Sequence, residues 1–326
     1  MLRYLFMVVL IGATGFCRAQ LRWTNVDADF QPLPPSVHVY KTTDSLDGKP
    51  NIAYYISADI NDKNLFFTVD TTLDRRLTPS QFYKRNQKPL VVVNTTFFSF
   101  QTNQNLNTVI QEGKVVAHNK PVAGRGKDTL MYHYTFNSVL GISKKRKADI
   151  AWIFSDSSNK KVYASQYPFR SFKHTGSNIS RSGLSPFIKD TAYNPERITL
   201  RKWKMHTAVG GGPMLLQNGM VQVTNNEERM FAGNAINDKH PRTAMGYTRD
   251  NRLIILVIEG RLPGEAEGAT LIQQANMLKD LNCWEALNLD GGGSSCLLVN
   301  GKETIRPSDK GKQRAVPAVF IIQQKK

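Results

Sequence analysis

The chain has 326 residues, with 43 Lys and Arg against 26 Asp and Glu, a formal charge of +17. That length holds one large domain or two small ones, and three cysteines without clustered histidines exclude an ordinary zinc site. The basic excess favours anionic partners. Without a recognisable nucleic-acid motif it points away from DNA or RNA and towards phosphate-bearing or acidic polysaccharide.

The first twenty residues read "MLRYLFMVVLIGATGFCRAQ". Arg3 supplies a positive start, Leu5 to Ile11 an apolar stretch, and Cys17-Arg18-Ala19 a small-x-small cleavage site. Residues 1–19 are therefore expected to be a signal peptide, placing the mature protein outside the cytoplasm, secreted or periplasmic. The apolar run is too short for a spanning helix, and no later segment is long and apolar enough to be one. Lipidation at Cys17 is the less favoured alternative, because Phe16 is a bulky neighbour for that processing. Removing residues 1–19 takes away Arg3 and Arg18 and leaves 41 basic against 26 acidic residues, a formal charge of +15. Cys283 and Cys296 remain, and their spacing leaves open whether they pair.

Residues 20–50, with "DFQPLPPSVHVYK", read as a leader into the fold. Strand-like runs follow at "NIAYYISADI", "NLFFTVD" and "PLVVVN". Residues 155–200 are polar and read as loops or an insertion. "TAVGGGPMLLQNG" predicts two strands around a glycine turn, the second closed by Asn218-Gly219. "NRLIILVIEG" is nearly all apolar and predicts a buried strand. In "GATLIQQANMLKDL", Leu271, Ala275, Leu278 and Leu281 share one helical face behind Thr270 as cap. "ALNLD", "SSCLLVNG" and "AVPAVFII" complete the strands, with Asp290 and a glycine triplet at the end of the first. The fold class expected is α+β (mixed α/β): a central mixed β-sheet with flanking helices in a single catalytic domain, its site at strand ends.

Five segments stand out in order: "VVVNTTFF", "AVGGGPMLLQNG", "HPRTAMGY", "LVIEGR" and "ALNLDGGGSSCLLVNG". The set resembles the phosphodiester glycosidase family over residues 85–323, leaving residues 20–84 as leader and first strands. Glu259 stands where that family commonly has Asp, and Gln273 where its helix often carries Glu. The resemblance implies a hydrolase that cleaves sugar-1-phosphodiesters.

Such cleavage breaks the anomeric C–O bond and builds oxocarbenium character, which calls for a carboxylate. Asp290 and Glu259, each at the end of a buried strand, are the candidates. A phosphate leaves readily, so binding its charge matters more than protonating it. Arg242 can fork onto phosphate oxygens, and backbone amides freed by Gly291, Gly292 and Gly293 and by Gly210, Gly211 and Gly212 can form an anion nest. Equally, Arg242 could form an ion pair with Glu259 or Asp290, and Asp290 could cap its own turn. Asn94 either holds sugar hydroxyls or ends its strand. His240 either joins the site or satisfies local hydrogen bonds, and Thr243, next to Arg242 in "HPRTAMGY", is expected among the substrate-binding residues. Ser294 and Ser295 lack a nucleophile elbow, so Ser294 is expected to hydrogen-bond substrate.

No cofactor is required by this chemistry. Two alternatives stay open: a metal-assisted phosphodiesterase, with Asp290, Glu259 and carbonyls holding Ca²⁺ or Mg²⁺, and a catalytically silent glycan binder. The partner expected is an anionic or phosphorylated glycan; oligomeric state is not legible.

Overall fold

The computed structural model describes residues 20–120, 122–123, 132–134, 136–155, 161–168, 172–174 and 200–325. The expected signal peptide lies outside these residues, as does most of the polar stretch 155–200.

The strand Arg252–Ile258 shows how the sequence pattern builds the core. Side chains alternate across a strand. Leu253, Ile255 and Val257 therefore enter the main core, while Ile254, Leu256 and Ile258 enter a second cluster on the opposite face. Leu271, Ala275 and Leu278 of the helix Leu271–Asp280 cover that second face. Val91 and Val93 likewise face the main core, while Val92 packs with Phe82 of the helix Pro79–Arg85. Full burial of each such aliphatic side chain is worth about 1.5–3 kcal/mol. Strands buried on both faces need continuous apolar runs, and these segments have them.

The strands form four sheets among the described residues. The largest has the order Thr24–Asn25, Val37–Thr42, Ala53–Asp59, Arg252–Ile258, Arg242–Thr248, Cys283–Asn288, Met214–Gln217, Met220–Val221. A five-stranded sheet centres on Val91–Asn94 between Leu297–Val299 and Ala318–Gln324. A seven-stranded sheet includes Asn137–Ile142, Ala148–Ser155 and Thr207–Gly210. The fourth, three-stranded, joins Val122–Ala123, Tyr132–Tyr134 and Phe172–His174. The main core draws Ile56, Val91, Trp152 and Phe320 from the three larger sheets into one cluster.

Two features differ from the sequence expectation. Every strand pair among the described residues is antiparallel, so the sheet is not mixed. A helix between the buried strands Arg252–Ile258 and Cys283–Asn288 suggests a parallel crossover. Those strands do run the same way, but Arg242–Thr248 sits between them and pairs antiparallel with both. Helix is also sparse: the described residues contain three α-helices, of seven, four and ten residues. The architecture is predominantly β. In addition, the stretch read as a leader supplies Val37–Thr42, a full strand paired with Ala53–Asp59.

The helix Leu271–Asp280 starts as its sequence indicates. Thr270 Oγ1 accepts from Gln273 N, and Gln273 Oε1 accepts from Thr270 N, a closed capping box worth about 1 kcal/mol. Gln273 Nε2 donates onward to Asp47. The side chain at 273 is thus engaged in the cap and with Asp47. Cys283 and Cys296 are both buried and free, and burial pushes both thiols up.

Candidate functional site

The site forms where the eight-stranded and five-stranded sheets meet. Asp290 follows the strand Cys283–Asn288, and its N–H donates to Thr95 O at 2.8 Å. Asn94, the last residue of Val91–Asn94, donates from Nδ2 to Asp290 O at 2.6 Å. Asn94 Oδ1 accepts from Thr243 Oγ1 at 3.0 Å and from Cys296 N at 3.0 Å. Thr243 Oγ1 also lies 3.2 Å from Ser295 Oγ. Asn94 and Thr243 are fully buried. They staple the Asp290 loop to the neighbouring sheet, so neither is available to hold sugar hydroxyls.

Burial pushes the Asp290 carboxyl up to about 7, against the opposing influence of the Ser294 hydroxyl, the Arg314 guanidinium and the Gly291 N–H. A carboxyl poised near neutrality can change charge during a reaction. The Ser294 hydroxyl lies beside Asp290 and is buried without a full hydrogen-bond partner, which is compatible with the substrate contact expected of it.

Glu259 does not share this environment. It lies one residue past Ile258, across from Pro241, while Gly292 N donates to Pro241 O from the other side. Glu259 is therefore two strands removed from the glycine loop. Its two oxygens accept from Arg306, Oε2 from N and Oε1 from Nε, both at 2.9 Å. The carboxylate is 4% exposed and the partner guanidinium 53%. Glu259 is a buried structural anion, and the paired-carboxylate reading does not hold.

Arg242 is buried, and neither sequence alternative describes it. Its Nε donates to Ala269 O and its Nη2 to Asp238 O, both at 2.9 Å. Its carbon centre lies 5.9 Å from the Phe231 ring centroid. Desolvation lowers its pKa to about 10. Arg242 forms no ion pair with Glu259 or Asp290, and two of its donors are consumed in holding a turn. His240 exchanges backbone hydrogen bonds with Ala269; burial first, then Arg242 and Arg261, lower its pKa, which keeps the imidazole neutral at pH 7. Its Nδ1 is buried without a partner.

The glycine amides are mostly committed. Gly210 N donates to Thr108 O, Gly211 N to Ser138 O and Gly212 N to Asn288 O, at 2.7, 3.0 and 2.8 Å. Residues 210–212 are therefore no anion nest. Gly211 is needed for a different reason: a β-carbon there would collide with the carbonyl of Asn288. In the other triplet, Gly291 N serves Asp290 and Gly292 N serves Pro241. Of these six glycine amides, Gly293 N is the one with no hydrogen bond among the described residues. Gly292 has φ +59°, a left-handed value that glycine adopts without strain.

What surrounds this triplet is cationic. A side chain at 292 would meet the Arg261 guanidinium at 2.9 Å, and one at 293 would collide with that of Arg314. Arg314 is anchored by Nε to Asp309 Oδ2 at 2.9 Å. Buried polar atoms without partners accompany the loop: Thr95 Oγ1 and Asn288 Oδ1 besides His240 Nδ1. Unpaired buried groups are rare in finished cores and mark places where substrate or water completes the bonding. Among the described residues no three His, Cys, Asp or Glu side chains come together as a metal site. The Ca²⁺ or Mg²⁺ alternative has no ligand cluster there, since Glu259 is held by Arg306.

The sequence did not single out Arg261, Arg314 or Glu228. Arg261 stands in the quoted "LVIEGR", two residues past Glu259, and Arg314 in the basic tail "KGKQRAVPAVF". Glu228 lies in a polar run but is completely buried. Ser138 N and Oγ, Trp152 Nε1, Met214 N and Thr224 Oγ1 all donate to it, at 2.6–3.0 Å. It packs behind Gly212, where a β-carbon would meet Oε2 at 2.5 Å.

The model of the phosphodiester glycosidase family matches residues 87–323. The N-acetylglucosamine-1-phosphodiester alpha-N-acetylglucosaminidase of Bos taurus is 31% identical over 109 residues, 31% of this chain and 20% of that protein. An uncharacterized SPbeta prophage-derived protein of Bacillus subtilis is 40% identical over 87 residues, 27% of this chain and 13% of that protein. The chain thus spans a fifth or less of these curated relatives. Among solved structures, the catalytic domain of the zebrafish N-acetylglucosamine-1-phosphodiester alpha-N-acetylglucosaminidase aligns with TM-score 0.54 and 19% identity, over 94% of this chain and 89% of that one. A hypothetical protein from Synechocystis aligns with TM-score 0.61 and 13% identity, over 89% and 64%. These structures share the fold. With the family model covering most of the chain and its motifs converging on one loop, this protein belongs to the phosphodiester glycosidase family.

Proposed function

We propose that the protein is an exported hydrolase that cleaves the sugar–phosphate glycosidic bond of glycosyl-1-phosphodiesters, of the N-acetylglucosamine-1-phosphodiester type, in anionic glycans. The observation that carries this reading is a lone carboxyl, Asp290, raised to about 7 at a loop flanked by Arg261 and Arg314.

Hydrolysis at the anomeric carbon needs a base for water and a counter-charge for the oxocarbenium. Asp290 in its ionised form supplies both. Departure of a neutral sugar alcohol needs a second, protonated acid, and Glu259, locked to Arg306, is not placed to provide it. A phosphate needs none. The site therefore suits a phosphodiester better than an ordinary glycoside. The mature charge of +15 further concentrates polyanions around the protein, whatever the sugar.

The sign of the pH dependence follows. The active form is the ionised carboxylate, so kcat/KM on an α-GlcNAc-1-phosphodiester is expected to rise through pH 7 and level off above it. The same sugar carried on neutral aryl and disaccharide leaving groups is expected to react poorly, and turnover of the phosphodiester to weaken as salt rises. A preference for the neutral substrates, unaffected by salt, overturns the proposal.

A further inference from the structure

We propose that Arg261 is the residue that recognises the substrate phosphate, the role that residue type alone suggests for Arg242. The inference rests on the phosphodiester reading above and adds the group that senses the anion. Three observations carry it.

The first is availability. Arg242 is buried with two donors on the carbonyls of Ala269 and Asp238, and Arg314 is tied through Nε to Asp309. The Arg261 side chain is exposed, and among the described residues its guanidinium forms no ion pair and no hydrogen bond. All its donors can turn to a ligand, in the planar fork that matches phosphate oxygens.

The second is place. The guanidinium lies over the α-carbon of Gly292, close enough that a β-carbon there would sit 2.9 Å from Nη2. Gly292 is two residues from Asp290, and the uncommitted amide of Gly293 comes next. A phosphate held by Arg261 would lie over the loop that carries Asp290. Glycine at 292 is favoured by its positive φ, and its lack of a side chain leaves room for the guanidinium above it.

The third is backbone strain. Arg261 has φ +63°, a left-handed conformation disfavoured for a side chain with a β-carbon. Glycine would occupy this turn more comfortably, as it would the turns at Arg146 and Arg229, which have similar φ. Non-glycine residues in such conformations concentrate where side chains act on ligands. The positive field of Arg261 also reaches the site, since it helps lower the pKa of both His240 and Arg242.

The test uses N-acetylglucosamine-1-phosphate and plain N-acetylglucosamine as calorimetric probes on the full mature chain. Wild type, Arg261→Gln, Arg261→Gly and Lys144→Gln, an exposed control with the same charge loss, are compared. Removing a charged, bidentate contact is expected to weaken phosphate-sugar binding about 10–100-fold in both Arg261 variants. The control should match wild type, and no variant should change binding of the neutral sugar. Arg261→Gly should keep or raise Tm, because it relieves the left-handed strain, so the loss cannot be attributed to misfolding. Equal phosphate-sugar binding by wild type and Arg261→Gln, including none by either, overturns the assignment. Turnover by the wild type separates the two readings. Cleavage of the phosphodiester with no effect of Arg261→Gln removes Arg261 and leaves the function. Loss of binding in Arg261→Gln with no cleavage by wild type leaves Arg261 as an anion site and removes the function.

Discussion

Asp290→Asn is expected to lower kcat by about 10²–10⁴-fold, the range for removing a general base, while making the protein more stable at alkaline pH. The two effects have one cause. Burial raises the Asp290 carboxyl to about 7, well above an unfolded aspartate near 4. A folded-state pKa above the unfolded value gives a stability contribution that is fully present below the unfolded value and is lost as pH rises through about 7. At pH 8 the wild type therefore carries a poorly solvated, half-buried charge that the unfolded chain would hold at no cost. Asparagine removes that burden, and a gain on the order of 2 kcal/mol is expected at pH 8, shrinking towards zero near pH 4. Thermal unfolding across this range checks it alongside turnover. Wild-type-like turnover in the variant removes Asp290 from the mechanism, and a stability loss at every pH makes it a structural cap.

Glu228→Gln should have the largest effect on folding. The Glu228 carboxylate accepts five hydrogen bonds in full burial. They come from Asn137–Ile142 and Ala148–Ser155 of the seven-stranded sheet, from Met214 of the eight-stranded sheet and from Thr224. Burial raises its pKa, and the donors oppose that. An amide turns one acceptor into a donor pointing at donors, leaving several buried N–H and O–H groups without partners. The expected cost is about 3–5 kcal/mol. It should appear as a lower urea midpoint at unchanged slope. Because Glu228 backs Gly212, whose amide bonds to Asn288 just before the Asp290 loop, turnover in the surviving folded fraction should also fall. A midpoint shift equivalent to less than about 1 kcal/mol contradicts this role.

These two carboxylates show what the sequence reveals and what it hides. Asp290 was legible because it follows an apolar strand and precedes three glycines, a combination with little purpose except close approach. Glu228 was not, since "NNEER" has the composition of a solvated turn and only the fold shows five donors converging on its fourth residue. The strand runs were legible through their apolar content, and the helix at 271 through Thr270 and its apolar face. Strand direction was not, because a helix between two strands is equally compatible with an intervening strand, the place Arg242–Thr248 fills. Asn94 was legible as the end of its strand, whereas the strand that begins at Arg242 was not read, and the residue types of Asn94, Thr243 and Arg242 suit staple and ligand alike. Which way a side chain turns at a strand end depends on partners distant in sequence: Asp290 for Asn94, Ala269 and Asp238 for Arg242. Arg261 stood in view in "LVIEGR"; its free guanidinium and positive φ became visible only once the turn was folded.

The central claim is that this site breaks the bond between anomeric carbon and oxygen, with water attacking the sugar. Hydrolysis of an α-GlcNAc-1-phosphodiester in ¹⁸O-labelled water tests it most directly, with both products weighed by mass spectrometry. The label is expected in the sugar hydroxyl and absent from the phosphate monoester. Label in the phosphate, with an unlabelled sugar, would mean that the P–O bond is cut and would contradict the account.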